Sequence, residues 1–222
     1  MNILVTGAAG FVGKNLVENL KNIRDGKNRT HPNLKINEIY EFDRSNTLDD
    51  LEAYCRQCDF VFNLAGVNRP KDEEDFQKGN FGFASLLLDT LKKQRNTCPV
   101  MLSSSIQATL QGRFGTSAYG LSKKAGEELF FSYARETGAT VYVYRFPNLA
   151  GKWIRPNYNS AVGTFIILPG TCPSGWIIPG QNWNFCLSTT CWKKWLRPWK
   201  EKPIIATIRR KGQWWREKNT TA

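Results

Sequence analysis

Short apolar runs alternate with longer amphipathic ones from the amino terminus to about position 146, the pattern of strand and helix units that build a parallel sheet. Asn2–Thr6 (NILVT) reads as a buried strand. A glycine-rich turn leads from it into Phe11–Ile23, where Phe11, Val12, Leu16, Val17, Leu20 and Ile23 share one helical face. Asn37–Phe42 and Asp59–Ala65 predict the second and third strands, with a short helix over Leu48–Arg56 between them. A long helix over Asp75–Lys93, a fourth strand over Val100–Ser104, a helix over Ala118–Glu136 and a fifth strand over Thr140–Phe146 continue the series. The expected class is α/β with a doubly wound parallel sheet. Leu86, Leu87, Leu88 and Leu91 are expected in the core or at a subunit interface.

After Phe165 this logic stops. Periodicity disappears, and seven of the eight tryptophans fall in residues 166–222. The charge divides at the same place: residues 1–165 carry 21 Lys+Arg against 17 Asp+Glu, or +4, and residues 166–222 carry 10 against 2, or +8. The net charge of +12 therefore says nothing about the first part, and any affinity for nucleic acid would belong to the tail. At 222 residues the chain can bury one good core and perhaps a small second one. It starts directly in a strand pattern and has no bilayer-length apolar run, so a cytoplasmic protein is expected. Its six cysteines lack framework spacing and are expected as free thiols.

The turn Thr6-Gly-Ala-Ala-Gly-Phe-Val-Gly13 places glycines at Gly7, Gly10 and Gly13 between strand and helix. The first permits a tight turn, the second lets backbone approach a pyrophosphate, and the third allows close helix–sheet packing. The amino-terminal N–H groups of the helix, around Phe11 and Val12, would face the phosphates with the positive end of the helix dipole. A dinucleotide is the expected ligand. At the end of the second strand stand Asp43, suited to ribose hydroxyls and NAD(H), and Arg44, suited to a 2′-phosphate and NADP(H). The sequence leaves that choice open.

Tyr119-Gly-Leu-Ser-Lys123 opens the helix after the fourth strand, and Ser103-Ser-Ser105 closes that strand. Four-residue spacing puts Tyr119 and Lys123 on one helical face. An ammonium beside a phenol favours phenolate and is expected to bring its pKa toward the working range, while a strand-end serine can hold a carbonyl oxygen.

In this order, TGAAGFVG, DFVFNLAG, LSSSIQAT, YGLSK and RFPNLAG resemble the extended short-chain dehydrogenase/reductase superfamily of nucleotide-sugar epimerases, dehydratases and reductases. NLAGVNRP, SSSIQAT and NLAGKWIRPNYNS are similar to a branch of two-domain bacterial enzymes of capsular polysaccharide biosynthesis. The resemblance covers about residues 1–165. It implies a Rossmann-type domain that reduces a UDP-linked 4-keto-6-deoxy-N-acetylhexosamine with NADPH, beside a zinc-binding cupin domain that epimerises the sugar, in a homodimer. It further implies Tyr119 as proton donor, Lys123 as the group that lowers its pKa and binds the nicotinamide ribose, and Ser105 as the binder of the keto oxygen. Leu64, Ala65 and Gly66 would line the cofactor's path, Asn148 would lie near nicotinamide and sugar, and Arg69 would contact substrate. Epimerase or dehydratase chemistry is the alternative within the class. The alternative outside it is a non-catalytic dinucleotide-binding module whose basic tail holds nucleic acid.

Cys55-Arg-Gln-Cys58 has redox-motif spacing but not that motif's context, and His31 is the one histidine, so no metal site is expected. The tail remains. Ser188–Glu201 (STTCWKKWLRPWKE) would suit nucleic acid by stacking and phosphate pairing, while Pro198 and scattered tryptophans deny it a clean membrane-binding face. Codon arithmetic favours a third origin. Tryptophan is TGG and lysine AAA or AAG, so Trp-Lys read from its third base becomes glutamate. By the same shift Cys191-Trp192 becomes leucine, Lys194-Trp195 methionine or valine, and Ser188-Thr-Thr190 two residues drawn from Asp, Asn, His and Tyr. The shifted stretch reads as an acid-like pair followed by an amphipathic helix. A frame break just after Phe165 is therefore expected, with 166–222 replacing a substrate-binding segment and conferring poor solubility.

Overall fold

Five strands form the centre of the structure, the inner ones buried on both faces and the edge strands partly exposed. The computed structural model describes residues 1–28, 31, 33–67 and 77–155, of which 77–79 and 113 by backbone alone, together with the backbone of 185–187, 207–210 and 213–216. Strands β1 (Asn2–Thr6), β2 (Glu38–Phe42), β3 (Phe60–Asn63), β4 (Val100–Ser105) and β5 (Val141–Phe146) are all parallel, in the order β2-β1-β3-β4-β5. The winding direction reverses between β1 and β3. Ligands of such sheets bind at that reversal, beyond the carboxy ends of the strands.

Alternate residues of each strand enter opposite cores. Ile3 and Val5 meet Leu16, Val17, Leu20 and Ile23 of helix α1 (Phe11–Arg24) on one face. Leu4 meets the other core, built from Leu51 of α2 (Leu48–Gln57), Leu87, Leu88 and Leu91 of α3 (Phe83–Lys93), and Phe130 and Tyr133 of α4 (Ala118–Thr137). Strands covered on both sides need continuous apolar runs, which is why NILVT and FVFN contain so few polar residues. The start of α2 is held by a reciprocal cap, in which Thr47 accepts from the Asp50 N–H and the Asp50 carboxylate accepts from the Thr47 N–H. Cys55 and Cys58 are buried in the second core, and burial pushes the Cys55 thiol well above its ordinary range.

The structure departs from expectation at three places. The helix expected over Asp75–Lys93 is not one continuous α-helix: Gln77–Gly82 is a π-helical turn, and α3 begins at Phe83. Two glycines in QKGNFG weaken regular α-helix there, and the wider turn aims Asn80 inward. Leu86 departs from its neighbours and is exposed. Beyond Phe165, β7 (Phe185–Leu187) pairs in parallel with β6 (Asn148–Ala150), and β8 (Thr207–Arg210) forms an antiparallel pair with β9 (Gln213–Arg216). The lack of periodicity did not anticipate these short strands. The tryptophan- and lysine-rich stretch Ser188–Glu201 lies outside the described residues.

Candidate functional site

The glycine loop closes tightly on the carboxy ends of β1 and β3. Gly7 has φ +68°, and a Cβ there would meet the Ala65 nitrogen at 2.7 Å, so a side chain is excluded both by conformation and by space. A Cβ on Gly13 would lie 2.1 Å from the Gly7 carbonyl oxygen and 2.7 Å from the Ala8 Cα. Gly10 differs: it is exposed, and a Cβ there would meet only the Gly7 oxygen, at 3.1 Å. It is the N-cap of α1, whose first turn has no acidic residue and no side-chain cap. That leaves the Phe11–Val12 turn open to an anion.

These differences separate packing from ligand approach. Gly13→Ala is expected to lower Tm by about 5 °C, because backbone must move to admit the methyl group. Gly10→Ala is expected to weaken dinucleotide binding while lowering Tm much less. Thermal melts beside titrations with NADPH check both, and equal loss of Tm in the two variants would refute the distinction.

Two residues with no signal in the sequence pattern, Thr6 and Asn63, set the loop's distance from β3. The buried Thr6 hydroxyl donates to Asn63 Oδ1 at 2.7 Å and accepts from the Ala65 N–H at 3.3 Å. At the other side of the loop, Asp43 is already engaged: Oδ2 accepts from the Ala9 N–H and Oδ1 from the Arg44 N–H, both at 2.8 Å. The carboxylate thus ties the glycine loop to β2, and the Arg44 side chain is exposed beside it. A cleft of about 400 Å³ opens here, with Ala8, Ala9, Lys14, Asp43, Ser45 and Trp153 in its lining.

The segment after β3 connects this cleft to Tyr119 and Lys123. Asn80 clamps it, accepting from the Val67 N–H at 2.8 Å and donating to the Val67 carbonyl at 3.1 Å and to Ser122 Oγ at 3.2 Å. A Cβ on Gly66 would come 3.2 Å from Lys123 Nζ. Leu64, Ala65 and Gly66 therefore border both the glycine loop and the lysine. Asn148 is exposed at the start of β6, just past the carboxy end of β5. Arg69 lies outside the described residues.

Helix α4 delivers its first turn to the end of β4. Ser117 caps it, accepting from the Gly120 N–H at 3.0 Å and donating to Gln107 Oε1 at 2.9 Å. A Cβ on Gly120 would strike the Gln107 carbonyl oxygen at 2.6 Å, so the glycine after Tyr119 is what allows the helix to sit so close. Three consecutive serines of β4 then each reach α4. The Ser103 carbonyl accepts from Lys123 Nζ at 3.2 Å, Ser104 donates to Glu127, and Ser105 is hydrogen-bonded to Tyr119.

The expected lowering of the tyrosine pKa is not what this geometry produces. Burial pushes Tyr119 up to about 12, partly offset by the Ser105 hydrogen bond, and Lys123 Nζ stands 5.7 Å from the ring centroid. Burial also pulls Lys123, 8 % exposed, down to about 8 against the opposing pull of Glu127. At neutral pH the pair is thus a protonated phenol beside an ammonium, which suits proton donation.

A doubly wound sheet, a glycine loop at its switch point and a Ser-Tyr-Lys group at the end of β4 and the start of α4 together make the arrangement of the short-chain dehydrogenase type. The chain belongs to the NAD dependent epimerase/dehydratase family, whose family model matches residues 3–168. It is 41% identical over 165 residues to UDP-2-acetamido-2,6-beta-L-arabino-hexul-4-ose reductase of Pseudomonas aeruginosa, an alignment covering 74% of this chain and 40% of the relative. The capsular polysaccharide assembling protein CapF of Staphylococcus aureus is similar in structure, with a TM-score of 0.70 and 34% identity over 93% of this chain and 51% of CapF. A UDP-N-acetylglucosamine 4-epimerase of Methanobrevibacter ruminantium shares the fold, with a TM-score of 0.73 at 20% identity over 97% of this chain and 78% of the epimerase. The chain spans about half the length of CapF and less of the reductase. Among the described residues, no helix is long and apolar enough to cross a membrane, and no group of His, Cys, Asp and Glu could hold a metal.

Proposed function

We propose that residues 1–165 form the reductase half of an NADPH-dependent nucleotide-sugar enzyme that reduces a UDP-linked 4-keto-6-deoxy-N-acetylhexosamine for surface polysaccharide synthesis. The observation that carries this reading is the Ser105–Tyr119–Lys123 group, held in contact with the segment that borders the glycine loop. When bound, the dinucleotide supplies hydride to the sugar's C4. Tyr119 gives its hydroxyl proton to O4, Ser105 donates a hydrogen bond to the same oxygen, and Lys123 stabilises the phenolate left behind. The products are the C4 alcohol and oxidised dinucleotide. The family match and the 41% identical reductase support this chemistry. For the cofactor, Lys14 in the cleft and exposed Arg44 offer cations to a 2′-phosphate, while both Asp43 oxygens already hold backbone N–H groups.

The proposal includes the tail: residues 166–222 are read out of frame and stand in place of substrate-binding sequence. The shift in charge and composition supports it, as does the family match ending at residue 168. Sequencing the coding DNA through codon 165 and several hundred bases beyond tests it. An open shifted frame continuing into a strand, an acidic pair and a helix is expected; early closure of that frame would make the tail genuine coding sequence. The frame-restored protein, given the 4-keto sugar, should consume NADPH stoichiometrically. Conversion of the sugar without net NADPH consumption would point instead to an epimerase or dehydratase.

A further inference from the structure

Glu127 lies two helical turns beyond Tyr119 and one beyond Lys123, on the same face of α4, and is 2 % exposed. A carboxylate taken out of water this completely needs partners for both oxygens. It has them from two strands. Oε1 accepts from Ser104 Oγ and from Arg145 Nε, the latter at 2.7 Å, and Oε2 accepts from Arg145 Nη2. Ser104 and Arg145 are register partners on β4 and β5, so their side chains leave the sheet on the same side, beneath α4.

The consequences reach Tyr119 and Lys123 through β4. Ser104 sits between Ser103, whose carbonyl receives Lys123, and Ser105, which meets Tyr119. Fixing Ser104 to α4 fixes the spacing of both contacts. The charges that face this site among the described residues are few. Tyr119, Lys123 and Glu127 come from α4, and Arg145 comes from β5. Strand β4 and the 64–67 segment offer hydroxyls and backbone groups alone, and Asn80 offers a neutral amide.

We propose that Glu127 is a positioning residue for the Tyr119–Lys123 pair: bound by Ser104 and Arg145, its carboxylate sets α4 against the end of β4 and places a negative charge on the helical face that carries Lys123. The role is distinct from stability. A neutral residue could fill the space under α4, but it would take the carboxylate away from the face that carries Lys123 and from the Arg145 guanidinium. The inference rests on Lys123 binding the nicotinamide ribose, as the proposed reductase function requires.

The test is NADPH affinity measured against pH on the 222-residue chain, with Tm followed in parallel; it requires no turnover. In the unaltered chain affinity falls as pH rises through the loss of the Lys123 proton. Glu127→Gln should move that inflection down by about one pH unit. Arg145→Gln frees the carboxylate to act on Lys123 alone and should move it up, which keeps the test decisive if Glu127→Gln does not fold. Ser104→Ala removes a neutral donor and should lower Tm with the inflection in place. An unmoved inflection in both charge variants, with lowered Tm alone, overturns the proposal. Lys123→Met is the control: affinity equal to that of the unaltered chain at neutral pH would overturn the assignment of Lys123 itself, and this inference with it.

Discussion

Replacing Tyr119 by Phe is expected to lower the rate of the proposed 4-keto reduction by about 10²–10⁴ in the frame-restored protein, with NADPH affinity nearly unchanged. The ring stays, so packing at the start of α4 and the approach of Lys123 Nζ, 5.7 Å from its centroid, are retained. What leaves is the proton. Because burial holds the Tyr119 hydroxyl up at about 12, the donor is fully loaded at neutral pH, and its pKa does not limit the rate on the acid side. In the proposed reaction the hydroxyl serves only the step in which O4 gains charge, so kcat should fall and KM for the sugar should change little. Single-turnover oxidation of bound NADPH measures this directly. A Phe variant within a few-fold of the parent rate would show that another group, or water, protonates O4, and Tyr119 would no longer be the proton donor.

Much of the fold was legible because both periodicities of the sequence were strong. NILVT, FVFN and VYVYRF are the runs that two-sided burial demands, and the helices at Phe11, Leu48 and Ala118 begin where their patterns begin. The π-helical turn was not legible, because Gln77–Gly82 has no apolar stripe and its shape depends on Asn80 reaching Val67. The site divides in the same way. Tyr119 and Lys123 are marked by spacing along one helix and the serines 103–105 by a strand end, while the family resemblance singles out Ser105 among them. Glu127 continues that face at the next turn, a usable signal, yet its significance depends on Arg145, which only strand pairing brings opposite Ser104. Asp43 was legible as a residue but not in its duty: no pattern along the chain announces that Ala9 and Arg44 will take its oxygens.

Lys123→Met should make the protein more stable while weakening its grip on the dinucleotide. Burial pulls Lys123 from its ordinary value of 10.5 to about 8, so the folded state holds this proton less tightly than the unfolded chain does. Below about pH 8 folding bears the whole penalty, about 3 kcal/mol by linkage. Between about 8 and 10.5 the unfolded chain still binds the proton that the folded one has released, so this contribution makes stability rise with pH. Methionine matches the length of the side chain and carries no charge, although it leaves the Ser103 carbonyl without its donor, at a cost of about 1 kcal/mol. The net gain of about 2 kcal/mol corresponds to a Tm higher by about 5 °C at pH 7. The advantage should shrink toward pH 10, since the parent no longer carries the buried charge. Melting curves for both proteins at the two pH values check the sign. A lower Tm for Lys123→Met at pH 7 would mean that Glu127 and Ser103 more than compensate the ammonium for the water it has lost; a higher one would mark Lys123 as a group retained for chemistry against the interest of the fold.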